Sequence, residues 1–200
     1  MFYFWVTRMD RNKIAILVSG AGTNAINIIE YFEKNSVADV TLVVSNKTDA
    51  LAVEKAQNKG VKTIVFNNET FKKNGEVLDY LRSESIDFIV LAGFLVKIPS
   101  DIIHAYPNKI VNLHPSLLPK FGGKGMYGNH VHRAVIKAQE SESGISIHFV
   151  NEEYDEGAII FQAKVSVEKT DTFKLLSQKI QQLEHRFFPK VIEQVISKSL

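Results

Sequence analysis

Cysteine is absent from this chain of 200 residues, which excludes disulfide bonds, thiolate nucleophiles and metal sites built on cysteine. The formal net charge is only +2, too small to predict a nucleic-acid-binding surface. No apolar run approaches the roughly 20 residues that a membrane-spanning helix needs, and no basic segment precedes the apolar residues 1–6, unlike in a signal peptide. We therefore expect a cytoplasmic protein that acts without nucleic acid or a membrane.

Short apolar segments alternate with segments of helical periodicity along most of the chain. Strands are predicted at residues 13–19, 39–45, 61–66, 87–92, 109–114, 144–150 and 158–167. Helices are predicted at residues 25–34, 50–59, 75–85, 100–106, 131–138 and 173–198. This alternation predicts an α/β fold, a Rossmann-like three-layer open sheet that is mostly parallel, with helices on both faces. An acidic turn joins the last two strands, which predicts an antiparallel C-terminal edge.

An asparagine and a histidine share one face at the end of the fifth predicted strand. Asn112 and His114 are two residues apart, so their side chains point the same way. Pro115 follows directly and favours extended geometry at His114, which should end the strand. Ligands of open α/β sheets bind at the carboxyl ends of strands, so this pair is a candidate catalytic site. A structural histidine is the alternative.

Asp155, in the acidic turn at residues 151–157, would complete such a site. A carboxylate beside His114 would raise the pKa of the imidazole and hold one tautomer. The sequence has no cysteine and no G-x-S-x-G motif, so a substrate group is expected to attack a carbonyl directly. The Asn112 amide and a protonated His114 would stabilise the resulting oxyanion. An ordinary solvated turn is the alternative for Asp155.

A glycine-rich turn at residues 20–24 separates the first predicted strand from the first predicted helix. Backbone N–H groups and the positive end of the helix dipole favour an anion at such a junction. The motif is not Walker A, and Ala25 stands where a complete G-x-G-x-x-G would have its third glycine. Thr23 and Asn24 add side-chain donors, which favours the phosphate of a mononucleotide-like ligand over a tight turn alone.

Several other segments have two interpretations. The apolar loop at residues 93–99 would either hold a flat aromatic ligand or pack in the core. The glycine-rich residues 120–129 would form a mobile lid or a surface loop. His148 and Ser146 share a strand face and would either support the candidate site from behind or belong to the core. His130 and His132 are two apart on a helix and do not share a face, so no metal site is predicted.

Five motifs together resemble the phosphoribosylglycinamide formyltransferases, a folate-dependent family of purine synthesis. They are Val18-Ser19-Gly20-Ala21-Gly22-Thr23-Asn24, Leu91-Ala92-Gly93-Phe94, Asn112-Leu113-His114-Pro115-Ser116-Leu117-Leu118-Pro119, Ser146-Ile147-His148-Phe149-Val150 with Asp155 and Gly157, and Glu184-His185. The resemblance covers residues 13–200, interpreted as one formyltransferase domain after an N-terminal extension at residues 1–12. Other formyl-folate enzymes share the third motif alone, whereas the combination is specific.

The resemblance implies that the chain transfers a formyl group from 10-formyltetrahydrofolate to the amine of glycinamide ribonucleotide, as a monomer or homodimer and without a metal. The implied catalytic residues are Asn112, His114 and Asp155, with Ser146 and His148 behind them. The implied ribonucleotide-binding residues are Gly22, Thr23, Asn24, Gln181 and Glu184. The implied folate-binding residues are Leu95, Val96, Lys97, Ile98, Asn112, Thr70, Asn151, Glu152 and Glu153. The family often has an arginine before the third helix that contacts the folate tail; its equivalent here falls near Asn68 or Thr70, and Lys72 or Lys73 would substitute for it.

Four alternatives use parts of the same pattern. A formyltetrahydrofolate hydrolase would use the same three catalytic residues, but residues 1–12 are too few for its usual N-terminal domain. A methionyl-tRNA formyltransferase would need a further C-terminal domain and more positive charge. A sugar-nucleotide formyltransferase would not need this phosphate-binding turn. A non-catalytic nucleotide-binding module would leave Asn112, His114 and Asp155 unexplained.

Overall fold

The computed structural model describes residues 11–73 and 75–198, in which a seven-stranded sheet carries helices on both faces. The strands are β1 (Asn12–Val18), β2 (Ala38–Ser45), β3 (Lys62–Val65), β4 (Phe88–Leu91), β5 (Ile110–His114), β6 (Glu142–Phe149) and β7 (Ile159–Ser166). All seven predicted strands are confirmed, with small shifts at their ends. The predicted N-terminal extension lies almost entirely outside the described residues, and β1 begins one residue before the predicted domain boundary.

Seven helices are present in the described part of the chain. They are α1 (Thr23–Phe32), α2 (Leu51–Asn58), α3 (Asn68–Lys72), α4 (Glu76–Ser83), α5 (Ser100–Ala105), α6 (Asn129–Lys137) and α7 (Phe173–Lys198). None of these helices is both long enough and apolar enough to cross a membrane. Six of them correspond to predicted helices, and α3 was predicted as a loop. The Asn67 side chain accepts a hydrogen bond from the Thr70 backbone N–H and caps α3, which is a local signal that the prediction missed.

The strand order is β3-β2-β1-β4-β5-β6-β7. Strands β1 to β5 pair in parallel, whereas β6 is antiparallel to β5 and β7 is antiparallel to β6. This confirms the predicted parallel sheet with an antiparallel C-terminal edge. The edge strand β7 needs only a short connection from β6, which antiparallel pairing allows.

Two apolar cores lie on opposite faces of the sheet, because side chains alternate along each strand. In β1, Ile14, Ile16 and Val18 enter one core, while Ala15 and Leu17 enter the other. Helices α1, α2, α6 and α7 cover the first face, and α3, α4 and α5 cover the second. Burial on both faces explains why the central strands are nearly all apolar.

The strand order reverses between β1 and β4, which is the usual position of a ligand site in an open α/β sheet. Just beyond the ends of these strands, the Ser19 backbone N–H donates to the Gly93 carbonyl oxygen at 3.2 Å. The glycine-rich turn, the apolar loop and the end of β5 therefore meet at one edge of the sheet. The fold places three segments that the sequence singled out beside one another.

Candidate active site

A cavity of about 670 Å³ opens at the carboxyl edge of the sheet. Asn112 and His114 from β5 line it, together with Asp155 from the turn after β6. Asn24 at the start of α1 and the apolar loop around Leu95 line the same cavity. Its volume lies within the range of ordinary small-molecule sites. The structure thus brings the predicted catalytic residues together with parts of both predicted substrate sites.

His114 is buried, with 3% of its surface exposed. Its Nε2 lies 2.8 Å from the Phe121 carbonyl oxygen, to which it donates, and its Nδ1 lies 3.4 Å from Asp155 Oδ2. Burial lowers the pKa of His114 below its ordinary value, although Asp155 and the Phe121 carbonyl act in the opposite direction. Loss of hydration thus outweighs the nearby charge of Asp155 in its effect on the pKa of His114, and the role of Asp155 in keeping His114 protonated stays a prediction.

Asp155 has a left-handed backbone with φ 58°, a conformation that aspartate and asparagine adopt more readily than most residues. Its Oδ2 accepts a hydrogen bond from the Gly123 backbone N–H at 2.9 Å. Burial opposes ionisation of Asp155, but the neighbouring His148 and His114 rings and the Gly123 N–H outweigh burial and lower its pKa. Asp155 is therefore a carboxylate at neutral pH.

His148 orients the amide of Asn112. Its Nδ1 donates to the Phe149 carbonyl oxygen at 2.8 Å, which leaves Nε2 as an acceptor. Nε2 lies 3.0 Å from Asn112 Nδ2, and the same Nδ2 lies 3.4 Å from Asp155 Oδ1. His148 thus contacts the candidate catalytic residue Asn112 and itself lines the cavity.

Ser146 supports the turn that follows His114 and does not line the cavity. Its buried hydroxyl donates to the Ser116 carbonyl oxygen at 2.7 Å and accepts from the Leu118 backbone N–H at 2.9 Å. Gln162 Nε2 donates to the same hydroxyl at 2.7 Å. Ser146 therefore stabilises the backbone beyond β5.

The start of α1 is open to an anion. Gly22 precedes the helix with φ 70°, no side chain of the described residues caps the helix, and its first turn contains no acidic residue. The first N–H groups of a helix lack partners within it and carry partial positive charge. Asn24 lines the cavity, whereas Gly22 and the exposed Thr23 lie beside it and do not line it. The turn is thus available for a phosphate at the edge of the cavity.

Asn24 also links α1 to the last helix. Its Nδ2 donates to Glu184 Oε2 at 2.8 Å, while its buried Oδ1 has no hydrogen-bond partner among the described residues. Burial raises the pKa of Glu184 above its ordinary value, and the hydrogen bond from Asn24 opposes this shift only in part. Gln181 lies beside Glu184 on α7 and lines the same cavity. Asn24, Gln181 and Glu184 therefore offer hydrogen-bond donors and acceptors to a polar ligand beside the start of α1.

Replacement of Gly22 by alanine is expected to destabilise the protein by about 1–3 kcal/mol. A Cβ at this position would lie 2.5 Å from the Ala52 Cβ, and the φ of +70° strains any L residue. Urea unfolding of the variant and of Gly20→Ala tests this expectation, because a Cβ at Gly20 meets nothing within 4 Å. Equal unfolding free energies for the two variants would contradict it.

The apolar loop after β4 separates the main cavity from a second cavity of about 600 Å³. Leu95, Val96, Lys97 and Ile98 line both cavities. Asn151 and Glu153 line the main cavity, while Glu152 lines the second and pairs with His104 Nε2 at 2.9 Å. Thr70, predicted to contact folate, lines neither cavity. Its N–H and hydroxyl both bond to the Asn67 side chain. From the same helix, Asn68 and Lys72 line the second cavity instead.

Sequence reasoning missed several residues that line the main cavity. Ser177 lies one helical turn before Gln181, so helical spacing was an available signal. Tyr154 lies in the acidic turn, and Lys97 Nζ stands 5.7 Å from the centre of its ring. Met126 and Tyr127 belong to the glycine-rich loop, whose irregular sequence carries no periodicity. This loop lines the cavity, so it is more than a plain surface loop.

Within residues 11–73 and 75–198, no group of three or more histidine, cysteine, aspartate or glutamate side chains could hold a metal ion. His132, one of two histidines considered for such a site, instead lies buried in the cavity wall. Burial, with a smaller effect of His114, lowers the pKa of His132 to about 4. Its Nδ1 has no hydrogen-bond partner among the described residues.

His132 is expected to make the protein less stable in acid. The unfolded chain binds a proton here with a pKa of 6.5, and the folded chain only near 4, so the unfolded state binds more protons between these values. The free energy of unfolding should therefore fall as pH falls from 6.5 to 4, by at most about 3 kcal/mol from this group. Urea unfolding at several pH values should show a shallower dependence for His132→Gln, and an unchanged dependence would assign the effect elsewhere.

The family model described as formyl transferase matches residues 12–192. The chain belongs to this family. The resemblance inferred from the motifs is confirmed by relatives of the same name. This formyl transferase is 42% identical over 188 residues to the chloroplastic phosphoribosylglycinamide formyltransferase of Arabidopsis thaliana, with 91% of the chain covered. The match spans 64% of that relative's length, so the chain corresponds to somewhat under two-thirds of the plant protein.

Bacterial relatives match over more of their length. This formyl transferase is 37% identical over 186 residues to phosphoribosylglycinamide formyltransferase of Haemophilus influenzae, covering 90% of the chain and 85% of the relative. The crystal structure of phosphoribosylglycinamide formyltransferase from Bacillus halodurans superposes with a TM-score of 0.86 at 35% identity. That match covers 94% of this chain and 97% of the bacterial one.

Proposed function

We propose that this formyl transferase moves the formyl group of 10-formyltetrahydrofolate to the amine of glycinamide ribonucleotide, a step of de novo purine biosynthesis. One observation carries the proposal. A single cavity is lined by Asn24 at the open start of α1, by the cluster of Asn112, His114 and Asp155, and by the apolar loop around Leu95. An anionic ribonucleotide and a flat aromatic co-substrate would both reach the same cluster.

The ribonucleotide is assigned to the side of the cavity formed by α1 and α7. The backbone N–H groups around Gly22 and Thr23 bind the 5′-phosphate at the start of α1. Asn24 Oδ1, buried and without a partner among the described residues, accepts a ligand hydrogen bond. Glu184 and Gln181 bind the ribose hydroxyls, for which the buried carboxyl of Glu184 is a strong acceptor.

The folate is assigned to the apolar loop and to the acidic turn. Leu95, Val96 and Ile98 supply apolar surface, and the backbone of the loop offers hydrogen bonds to the edge of the pterin. Asn151 and Glu153 of the acidic turn line the main cavity, and Glu152 lines the second. Lys97 and Lys72, which line the second cavity, are the candidate partners for the carboxylates of the folate tail. Thr70 lies on α3 beside these residues and lines neither cavity, so its contact with the folate stays a prediction.

The transfer forms a bond between the amine nitrogen and the formyl carbon and breaks the bond between that carbon and N10 of the folate. The oxyanion that arises between these events needs donors in a dry site. The Asn112 amide and the His114 ring supply them. Asp155, ionised at neutral pH, accepts the proton that the attacking amine loses, and this proton leaves on N10. These side chains carry every step of the proposal.

The charge on His114 changes during the reaction. Burial lowers the pKa of His114 and so disfavours the imidazolium before substrates bind. A negative charge growing on the formyl oxygen adds to that of Asp155 and favours the imidazolium. In the structure the donors of His114 and Asn112 bond to the Phe121 carbonyl and to His148. The formyl oxygen replaces one of these acceptors in the reacting complex.

Formyl transfer by the purified protein tests the proposal. The absorbance of 10-formyltetrahydrofolate, or of a dideaza analogue, is followed with and without glycinamide ribonucleotide. Turnover only with the ribonucleotide is the expected result. Equal loss of the formyl group in both samples would indicate a hydrolase, and no change in either would contradict the proposal. We expect the protein to act in the cytoplasm on these two small molecules, as a monomer or homodimer and without nucleic acid or a membrane.

A further inference from the structure

A chain of side-chain hydrogen bonds runs below the second cavity, from the apolar loop to α3. The Leu95 backbone N–H donates to Ser19 Oγ at 2.9 Å, and Ser19 Oγ donates to Asn46 Oδ1 at 2.6 Å. Asn46 Nδ2 then donates to Asn68 Oδ1 at 2.8 Å. Ser19 and Asn46 are only 4% and 8% exposed. Neither of them lines the main or the second cavity.

The direction of each bond in this chain is determined by the one before it. The Ser19 hydroxyl accepts from Leu95, so its single proton is free to go to Asn46. Asn46 must therefore present its oxygen to Ser19 and its amino group to Asn68. Buried polar groups are costly when a partner is lost, so the chain holds as a unit.

Ser19 holds the apolar loop at two points. Its backbone N–H donates to the Gly93 carbonyl oxygen at 3.2 Å, and its hydroxyl receives the Leu95 N–H. Leu95 lies beyond the end of β4, so its backbone N–H is not paired within the sheet. The Ser19 hydroxyl is the acceptor that this N–H needs. The geometry of the loop backbone therefore depends on Ser19.

The two ends of this chain of hydrogen bonds belong to two different segments that line one cavity. Leu95 and Asn68 both line the second cavity, one from the apolar loop and the other from the first residue of α3. We propose that Ser19 and Asn46 are positioning residues for the folate. They fix the apolar loop and the start of α3 relative to each other and so set the width of the folate cavity. This inference rests on the proposed function, because it assigns that cavity to the folate.

The test compares the two substrates. Ser19→Ala removes both hydroxyl bonds and is expected to raise the Kd of a dideaza folate analogue about tenfold, the effect of losing about 1.4 kcal/mol. The KM for the ribonucleotide and the kcat at saturating folate should stay within about twofold of wild type, because Ser19 contacts neither the ribonucleotide side chains nor the catalytic cluster. Purely structural damage would alter both substrates and kcat together.

Ser45→Ala is the matched control. The Ser45 hydroxyl is also buried at the end of a neighbouring strand, but it donates to the Lys47 carbonyl oxygen at 3.0 Å and does not reach Leu95. The folate Kd of this variant should equal that of wild type. A tenfold rise in both variants would assign the effect to general loosening of the sheet edge and overturn the inference.

Two further variants keep the inference testable if Ser19→Ala fails to fold. Asn46→Asp keeps an acceptor for Ser19, and Asn68 can rotate its amide to donate to the new carboxylate, so folate binding should remain close to wild type. Asn68→Ala removes the last bond at an exposed position and should raise the folate Kd a few-fold. If Asn68→Ala and Ser19→Ala both fold and both bind the folate analogue with the wild-type Kd, the inference is overturned. If Ser19→Ala does not fold, a wild-type Kd in Asn68→Ala is enough to overturn it.

Failure of the inference and failure of the proposed function give different results. Folate binding and turnover by the wild type, with unchanged binding in the Ser19 and Asn68 variants, would contradict only the positioning role. Absence of folate binding by the wild type would contradict the proposed function and the inference with it. Isothermal titration with the dideaza analogue, with thermal melting to confirm folding, separates these cases.

Discussion

Replacement of His114 by alanine is expected to lower kcat by at least about 10²-fold, because a donor to the oxyanion is lost at a cost of about 2.7–4 kcal/mol. The ring is buried beside Asp155, so the variant also leaves this carboxylate with His148 as its remaining neighbouring imidazole. Steady-state kinetics at saturating concentrations of both substrates measure the effect. The KM values should change less than kcat, because the interaction is made mainly in the transition state.

His104→Ala is the control for this variant. His104 is also a histidine in an ion-pair contact with a carboxylate, but its side chain is 71% exposed and it lines neither cavity. Its kcat should remain that of the wild type. A folded His114→Ala protein with near-normal turnover would end the catalytic assignment of His114.

Replacement of Asp155 by asparagine is expected to lower kcat by about 10²–10⁴-fold, the usual effect of losing a general base. Asparagine tolerates the left-handed backbone at φ 58° and has nearly the same shape, so the turn should survive. The loss would therefore come from the charge, which accepts the proton of the attacking amine. Circular dichroism and thermal melting check that the fold persists, and single-turnover kinetics measure the chemical step.

Glu156→Gln is the matched control, because it removes one negative charge from the next residue of the same turn. Glu156 is exposed and lines neither cavity. Its kcat should stay near the wild-type value. Equal losses in both variants would mean that the overall charge of the turn matters, and that Asp155 has no specific role.

Most of the fold could be predicted from local patterns. The apolar runs of β1 and β4 and the alternation in β6 identified strands. A strand that is buried on both faces is apolar throughout, and one that is buried on one face alternates apolar and polar residues, so either pattern can be recognised within a single segment. The motif around Asn112 and His114 predicted that both residues lie at a strand end on one face. The short helix α3 was missed because its signal is a single capping residue, Asn67, and not a periodic pattern.

The candidate site was only partly accessible from sequence. The three catalytic residues, together with Asn24, Glu184 and the apolar loop, were predicted, and all line one cavity. The positions of Met126 and Tyr127 in the cavity wall were not predicted, because the glycine-rich loop has no periodic pattern of apolar residues. The assignment of Thr70 was based on the resemblance. In the structure other residues of α3, including Asn68 and Lys72, line the second cavity.

The sequence by itself determined the order and type of the elements and the chemical groups available at the carboxyl edge of the sheet. Only the tertiary structure decided the state of those groups. Burial lowers the pKa of His114 even though Asp155 is close. The His114 ring is hydrogen-bonded to the Phe121 carbonyl, and the Asp155 carboxylate accepts a hydrogen bond from the Gly123 N–H. Protonation depends on burial and on partners far apart in the chain, and local patterns in a sequence record neither.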